Sequence, residues 1–199
     1  MFLKQFLFPL LAATTAVSAQ STVYLIRHGE KPADGSDGLS AQGVERAQCL
    51  RTVFGSSSSY DIEYIIAEQP KSSQCHSTPP TLSMYEGNIL MNSYELGGAR
   101  TRPLETVQPL ANDLGLSVDT SCDRDDQKCV AKLVDKYSGG GNILICWEHD
   151  NLSDIVKALG DKKPPDYPDD SFNIIWTDPS PYKTITTMTS EDCPGLDSS

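Results

Sequence analysis

The sequence predicts a layered α/β domain built on a largely parallel β-sheet. Two short, largely apolar runs, Thr22–Arg27 and Asn142–Trp147, have the composition of strands that are buried on both faces of a sheet. Between the predicted strands lie segments in which apolar residues recur at the 3–4 spacing of an amphipathic helix. Alternating strands and helices favour a parallel sheet that is covered by helices.

The first half of the chain continues this alternation after the strand at Thr22–Arg27. Ser40 is suited to cap a helix. The apolar positions of that helix are spaced for one buried face and comprise Val44, Ala47, Leu50 and Phe54. A second strand is predicted over Ile62–Ala67. Residues 68–101 show no sustained periodicity, so we expect a loop or insertion over a functional site, with irregular packing filler as the alternative.

In the second half, Pro103 suits the first turn of a helix that Gly115 ends. A short strand is predicted at 116–118, followed by an amphipathic helix at 125–137. Three glycines at 139–141 then break the chain before the next strand.

After the strand Asn142–Trp147 we expect a helix over about 152–159, capped by Asp150 or Asn151. Residues 161–170 are rich in Asp and Pro and are predicted to form a surface connection. Two terminal strands are predicted at 172–176 and 182–188.

The amino terminus has the pattern of a secretory signal peptide. Lys4 precedes an apolar run at 6–13, and small residues follow up to Ala19. This run is shorter than the about 20 apolar residues that a membrane-spanning helix needs. We therefore expect cleavage after Ala19, an extracellular protein, and a single domain over 20–199. A membrane anchor or a buried helix is the alternative.

Charge and cysteine content narrow the possible partners and the compartment. The formal net charge of -11 opposes binding to nucleic acid or to an anionic membrane, so an anionic ligand must meet a local positive pocket. Six cysteines in a secreted chain predict disulfides, and Cys122 with Cys129 closes the shortest loop. Zinc binding is the weaker alternative because there is no Cys-x-x-Cys pair.

Two of the three histidines, His28 and His149, lie at the ends of the two most apolar predicted strands. Ligands of open α/β sheets bind at the carboxyl ends of strands, so both rings can face one pocket. Each histidine alone is equally well explained as a buried structural imidazole. Arg27 and Gly29 change that balance, because a fixed cation and close backbone approach beside an imidazole suit phosphoryl transfer through a histidine nucleophile.

Four motifs carry a resemblance to a known family. The chain has Arg-His-Gly-Glu-Lys-Pro at 27–32, Leu-Ser-Ala-Gln-Gly-Val-Glu-Arg-Ala at 39–47, Arg-Pro-Leu-Glu-Thr-Val at 102–107, and Ile-Leu-Ile-Cys-Trp-Glu-His at 143–149. In this order they resemble the motifs of the histidine phosphatase (phosphoglycerate mutase-like) superfamily, with Glu105 where the family has Gln. The resemblance covers nearly the whole mature chain. It implies a three-layer α/β/α fold with a mostly parallel central sheet.

The resemblance also implies roles for individual residues. His28 matches the phosphoryl acceptor, and Arg27, Arg102 and His149 match the groups that hold the phosphate oxygens. Arg102 also fits a bound anion on physical grounds, because a cation at a helix start otherwise opposes the helix dipole.

Four further residues are candidates for binding the substrate. Arg100 is expected to share the role of Arg102, and Glu30 is able to pair with a nearby charge. Lys31 is either a further cation of the site or a solvated surface lysine. Glu148 is the fourth candidate and a less favoured proton donor, because adjacent residues on an extended strand point to opposite faces.

The proton donor to the leaving oxygen is expected to be Asp150. One branch of the family uses a glutamate in the middle of the chain, for which this sequence offers no counterpart. Another branch, the acid phosphatases and phytases, uses an aspartate directly after the second histidine, as in His149-Asp150. The alternative role for Asp150 is a helix cap.

The resulting expectation is a secreted phosphatase of the histidine acid phosphatase type. It would hydrolyse small-molecule or surface phosphate monoesters through phosphohistidine on His28, without a metal or organic cofactor. A phosphate-binding module of the same fold that has lost turnover is the main alternative. A phosphoglycerate mutase-type phosphotransferase and a disulfide-rich interaction protein are weaker ones.

Overall fold

The computed structural model of this chain describes residues 21–72 and 98–197. Within them a six-stranded sheet has the order β5-β2-β6-β1-β7-β8. Its strands are β1 (Thr22–Arg27), β2 (Ile62–Ala67), β5 (Val118–Asp119), β6 (Asn142–Trp147), β7 (Ile174–Pro179) and β8 (Thr187–Ser190). A separate ladder joins β3 (Lys71–Ser72) and β4 (Gly98–Ala99). The helices are α1 (Ala41–Val53), α2 (Arg102–Leu114), α3 (Gln127–Lys136) and α4 (His149–Leu159).

The sheet is parallel over four strands and antiparallel at one edge. β5, β2, β6 and β1 pair in parallel. β7 runs antiparallel to β1, and β8 runs antiparallel to β7. The mostly parallel sheet predicted from the sequence is confirmed, and the antiparallel edge lies where the prediction placed only two terminal strands.

Helices cover both faces of the sheet, so the domain has the three predicted layers. On one face, Val130 and Val134 of α3 and Ile155 of α4 pack with Ile143 and Ile145 of β6. On the other face, α1 and α2 pack against the strands. The helix residues there are Leu50 and Phe54, at α1, and Val107 and Leu110 of α2, and the strand residues include Ile26, Ile65 and Leu144. The two faces of the strands therefore alternate between two apolar cores.

Helix α1 begins where predicted but is rotated relative to the predicted face. Ser40 is its N-cap, and its side chain accepts a hydrogen bond from the amide of Gly43. The prediction that Val44 is buried is wrong, since Val44 is 50% exposed. The buried face instead consists of Gly43, Arg46, Ala47 and Leu50. A buried arginine therefore takes a position that apolar periodicity could not identify.

Helix α4 begins three residues earlier than predicted. Its first residue is His149 and its N-cap is Glu148, so the predicted capping role of Asp150 or Asn151 is wrong. Both residues lie in the first turn of the helix. The second catalytic candidate, His149, thus belongs to a helix start and not to a loop.

Smaller shifts affect the remaining elements. α3 begins at Gln127, capped by Asp126, and β5 and β8 lie slightly later in the chain than predicted. β3 and β4 form in the predicted irregular segment, whose residues 73–97 lie outside the described part of the chain. The expected cleavage site after Ala19 also lies outside it.

Two disulfides brace the domain. The predicted bond between Cys122 and Cys129 is confirmed, and a second bond joins Cys49 of α1 to Cys193 near the carboxyl terminus. Cys146 is buried and forms no disulfide with any cysteine of the described ranges. No helix within 21–72 and 98–197 combines the length and the apolar composition that crossing a membrane requires.

Candidate active site

Three adjacent parallel strands deliver polar side chains to one edge of the sheet. His28 follows β1, Glu68 follows β2, and Glu148 with His149 follows β6, which lies between them. The amide of His28 donates a hydrogen bond to the carbonyl of Trp147 (3.1 Å), and the amide of Glu68 donates to the carbonyl of Cys146 (3.3 Å). Sheet pairing therefore continues to the first residue of each loop and fixes where the side chains start.

A single carboxylate connects the two predicted catalytic histidines. Oε2 of Glu148 lies 3.3 Å from Nε2 of His28, and Oε1 lies 2.6 Å from Nδ1 of His149. The three residues are between 1% and 8% exposed. Two imidazoles that are 121 positions apart in the chain thus converge on one anionic group. The sequence analysis expected both rings to face one pocket, with a phosphate as the anion.

The backbone next to His28 selects the reactive nitrogen of its ring. Nδ1 lies 2.6 Å from the carbonyl oxygen of Gly29, to which an N–H at this position donates. Nε2, which faces Glu148, is then the nitrogen that can attack an electrophile once it carries no proton. Burial lowers the pKa of His28, the Glu148 carboxylate opposes that shift, and the positive charge of Arg102 adds to it. A lowered pKa keeps the nucleophilic, neutral ring populated.

Glu148 has the opposite environment. Burial alone would raise its pKa, but the hydrogen bond and charge of His28, together with His149 and Lys31, lower it far below the usual range. Glu148 is therefore ionised, and its carboxylate is the anion that the cations of the site surround.

The loop that carries His28 is held by close packing against α1 and α2. The amide of Gly29 donates to Oγ1 of Thr106 (2.8 Å), which in turn donates to the carbonyl of Arg102 (2.7 Å). A Cβ atom on Gly29 would lie 3.0 Å from the carbonyl oxygen of Gly43. Glycine is favoured here because the backbones of the loop and of α1 approach each other closely.

Arg27 is buried and is oriented by backbone carbonyls. Its Nη1 donates to the carbonyls of Asp169 (2.7 Å) and Ser171 (2.8 Å), and its guanidinium stacks on the ring of Phe172 at 3.8 Å. Burial lowers the pKa of Arg27, and the charge of Glu148 opposes this. Arg27, one of the predicted arginines of the site, is thus a fixed cation near the Glu148 carboxylate.

Arg102 and Lys31 also lie at this cluster. Arg102 begins α2, and its charge acts on the pKa of His28. Its Nε atom is buried and has no hydrogen-bond partner among the described residues. Lys31 places Nζ 3.5 Å from Oε1 of Glu148 and is 40% exposed in its side chain. An incoming anion can therefore use a donor of Arg102 that the rest of the described chain leaves unpaired.

Glu30 does not join this cluster. Its carboxylate receives three hydrogen bonds from the guanidinium of Arg46, at 2.7, 3.0 and 3.1 Å. Arg46 also pairs with Glu191 (2.6 Å) and Asp197 (3.0 Å). Glu30 therefore links the His28 loop to the buried arginine of α1, and its role in substrate binding stays a prediction.

Asp150 lies beside the second histidine at the surface. Its Oδ1 is 3.2 Å from Nε2 of His149, and its side chain is 75% exposed. Glu148 was disfavoured as a proton donor because neighbouring residues of an extended strand point to opposite faces. That geometry does not hold at this position. Glu148 lies beyond the end of β6, where the chain turns into α4, and its Oε1 folds back to accept from the amide of His149 (3.3 Å).

Sequence reasoning missed two charged residues of the site, Glu68 and Arg124. Nε of Arg124 donates to Oε1 of Glu68 (2.8 Å), and its Nη2 lies 3.6 Å from Oε2 of Glu148. Arg100, a predicted candidate, lies 4.0 Å from Glu68 and 3.5 Å from Asp123. The only available signal for Arg124 was its position between two cysteines that form a short loop, and no motif marked it.

The arrangement has the chemistry of an anion site. Arg27, Lys31, Arg102 and Arg124 surround two imidazoles in a chain whose net charge is -11. A dianion in this position would be held by guanidinium donors and would face Nε2 of His28. The described residues therefore combine two imidazoles, fixed positive charge and nearby carboxyl groups, the groups that phosphoryl transfer through a histidine requires.

Comparison with solved structures identifies the fold. The protein histidine phosphatase SixA, complexed with tungstate, superimposes with a TM-score of 0.55 at 15% identity, over 85% of this chain and 97% of that chain. A protein assigned as phosphohistidine phosphatase SixA from Agrobacterium tumefaciens gives 0.45 at 12% identity, over 86% and 98% of the two chains. A protein assigned as an α-ribazole-5′-phosphate phosphatase from Escherichia coli gives 0.47 at 17% identity, over 87% and 98%.

No family model matches the sequence, and no curated protein matches it. The first superposition nevertheless extends over most of both chains, so this chain has the fold of the protein histidine phosphatase. The fold predicted from the four motifs is confirmed.

Proposed function

We propose that this chain is a phosphatase of the histidine phosphatase superfamily that hydrolyses phosphate monoesters through a phosphohistidine on His28. The observation that carries the proposal is the convergence of His28 and His149 on one buried carboxylate. A phosphoryl group can take the position of that carboxylate, since it is also an oxygen anion. The motifs around both histidines and the matching fold support the same conclusion.

The first chemical step forms the phosphoenzyme. Nε2 of His28 attacks the phosphorus atom as the bond from phosphorus to the ester oxygen breaks. Arg27, Arg102 and His149 donate to the non-bridging oxygens, whose charge they stabilise in the transition state. Glu148 moves out of the phosphate position when the substrate enters.

In this first step a proton is also transferred to the leaving ester oxygen, and we assign Asp150 as the donor because its side chain is exposed beside His149. The second step releases phosphate. A water molecule then attacks the phosphohistidine, and Asp150 takes up a proton from that water. The bond between Nε2 and phosphorus breaks, which regenerates the neutral imidazole and yields inorganic phosphate.

A phosphate-binding module without turnover is the second candidate. It is favoured by Glu148, whose negative charge occupies the position at which the phosphoryl group must react. Such a protein would bind inorganic phosphate but would not form a phosphohistidine.

The deciding experiment assays the protein with 4-nitrophenyl phosphate and a panel of alkyl phosphates. We expect turnover by the wild-type chain and its loss in His28→Ala, with a phosphoryl adduct on His28 in samples quenched with alkaline denaturant and analysed by mass spectrometry, because the bond between nitrogen and phosphorus is stable in base and hydrolyses in acid. Arg51→Ala is the matched control, because Arg51 pairs with Asp113 on the surface of α1 and α2. Phosphate binding by wild type without turnover or adduct would instead support the binding module.

We further propose that the mature protein is secreted and acts on small-molecule or surface phosphate esters. The two disulfides support an oxidising compartment, where such bonds persist. Amino-terminal sequencing of protein from the culture medium tests this, and a first residue of Gln20 is expected.

A further inference from the structure

We propose that Arg124 is an additional substrate-binding residue that contacts the phosphate of the ester, and that the loop closed by Cys122 and Cys129 holds it there. This inference rests on the proposed function, because it adds a ligand for the phosphate at the same pocket. Arg124 belongs to none of the four motifs that indicated the site.

The position of the Arg124 guanidinium relative to the nucleophile is the first support. Its Nη2 lies 3.6 Å from Oε2 of Glu148, and the same oxygen lies 3.3 Å from Nε2 of His28. An anionic oxygen at this point therefore faces both the nucleophile and the guanidinium. Arginine is well suited to bind a phosphate here, because its planar fork presents several N–H donors to the oxygens.

The orientation of the guanidinium is fixed from behind by Glu68. Nε of Arg124 donates to Oε1 of Glu68, a fully buried residue that follows β2. This contact uses Nε and leaves Nη2 of Arg124 free to approach Oε2 of Glu148, at 3.6 Å. A counterion for Glu68 would need only the contact from Nε. The approach of Nη2 to Glu148 therefore indicates a second function for Arg124.

The backbone of Arg124 is fixed to the strand ends of the site. Its carbonyl accepts from the indole Nε1 of Trp147 (3.1 Å), the last residue of β6. The carbonyl of Cys122 accepts from the amide of Gln69 (3.0 Å), next to Glu68. The disulfide to Cys129 closes this loop over a sequence separation of seven. A loop that is ordered before the ligand arrives binds it with less loss of conformational entropy.

Phosphate affinity separates a substrate-binding arginine from a counterion. We would measure inorganic phosphate binding by isothermal titration calorimetry and KM for 4-nitrophenyl phosphate. Arg124→Gln is expected to weaken phosphate binding and raise KM by about 10- to 100-fold, the effect of losing a charged hydrogen bond. Arg51→Gln, at a solvent-exposed arginine paired with Asp113, should leave both values unchanged.

The double variant Glu68→Gln/Arg124→Gln gives the sharper test, because it removes the buried negative charge together with its partner. We expect it to recover the thermal stability that Arg124→Gln loses but to retain the weak phosphate binding. Recovery of phosphate affinity in the double variant would overturn the proposal and leave Arg124 as a counterion. So would Arg124→Gln with reduced stability and unchanged affinity.

The loop and the proposed activity are tested separately. Cys122→Ala/Cys129→Ala should weaken phosphate binding as well, and unchanged affinity would contradict the role of the disulfide. If the wild-type chain forms no phosphohistidine, the proposed function fails. The calorimetric comparison still decides whether Arg124 binds phosphate, because it needs no turnover.

Discussion

Oε2 of Glu148 lies 3.3 Å from Nε2 of His28, in the position that a reacting phosphoryl group would occupy. Because Glu148 is ionised, a hydrogen bond at this contact needs a proton on Nε2 of His28. The carboxylate therefore favours the protonated, non-nucleophilic form of His28, and a phosphate must displace it before reaction.

This relationship predicts the effect of removing the charge of Glu148. In Glu148→Gln the pKa of His28 should fall, because the carboxylate raises that pKa against the lowering effect of burial. Inorganic phosphate should also bind more tightly, since the competing anion is gone. Titration of the ring nitrogens by ¹⁵N NMR and calorimetry with phosphate measure the two effects.

Asp113→Asn is the matched control for that experiment, because it also removes one carboxylate, but at a position that pairs with Arg51 on the surface. A pKa of His28 that stays the same or rises in Glu148→Gln would contradict the interpretation of the contact.

The close contact between α1 and the His28 loop yields a second prediction. A Cβ atom on Gly43 would lie 2.6 Å from the carbonyl oxygen and 2.9 Å from the amide nitrogen of Glu30. Gly43→Ala must therefore displace the loop, and a shift of this kind should lower kcat/KM by about 10- to 100-fold. Steady-state kinetics and thermal unfolding measure it.

Gly140→Ala serves as the control, because no atom would lie within 4 Å of its added Cβ. Equal kinetics for Gly43→Ala and wild type would show that the loop tolerates the displacement.

The sequence was sufficient to predict the fold where local pattern and tertiary structure agree. β1, β2 and β6 were predicted to the residue, because buried parallel strands are short apolar runs with clear boundaries. Ser40 and Gly115 were predicted as helix ends, since capping chemistry is local. The buried face of α1 was not predicted, because burial of Arg46 depends on carboxylates at positions 30, 191 and 197.

The site was predictable in the same uneven way. His28, Arg27, Arg102 and His149 follow from motifs. The structure places both histidines and Arg27 near Glu148, and Arg102 near enough to His28 for its charge to act on that ring. The participation of Arg124 depends on a disulfide and on a contact with the indole of Trp147, neither of which periodicity or motif order reveals.

A third prediction concerns stability against pH. Asp178 is buried in β7, and neither of its side-chain oxygens has a hydrogen-bond partner among the described residues. Burial, with the charge of Asp161, raises the pKa of Asp178 to about 7. The folded state thus holds a proton that the unfolded chain loses above pH of about 4. The free energy of unfolding should therefore fall as the pH rises from about 4 to about 7.

Asp178→Asn should remove the part of this dependence that Asp178 contributes, while the part due to Glu191, whose pKa burial raises to about 8, remains. It should also stabilise the protein at pH 8, by on the order of 2 kcal/mol, because the amide carries no charge to bury. Thermal unfolding of both proteins at pH 5 and pH 8 provides the measurement. Asp113→Asn, at an exposed residue, is the control. A lower Tm for Asp178→Asn than for wild type at pH 8 would indicate that the ionised carboxylate is stabilised in the folded state.

The proton donor can be identified by varying the leaving group. Asp150 lies 3.2 Å from His149 at the exposed rim, whereas Glu148 is buried and its pKa is held low by His28 and its other cationic neighbours. An alkoxide needs a proton as it leaves, but 4-nitrophenolate is stable without one. Asp150→Asn should therefore lower kcat for an alkyl phosphate by about 10²- to 10⁴-fold and change kcat for 4-nitrophenyl phosphate far less.

Rapid-quench measurement of phosphoenzyme formation with both substrates isolates this step. Asp169→Asn is the control, because Asp169 also lies near His149, at 3.5 Å. If Glu148→Gln shows the dependence on the leaving group and Asp150→Asn does not, Glu148 is the donor, and it must then become protonated when phosphate displaces it from His28.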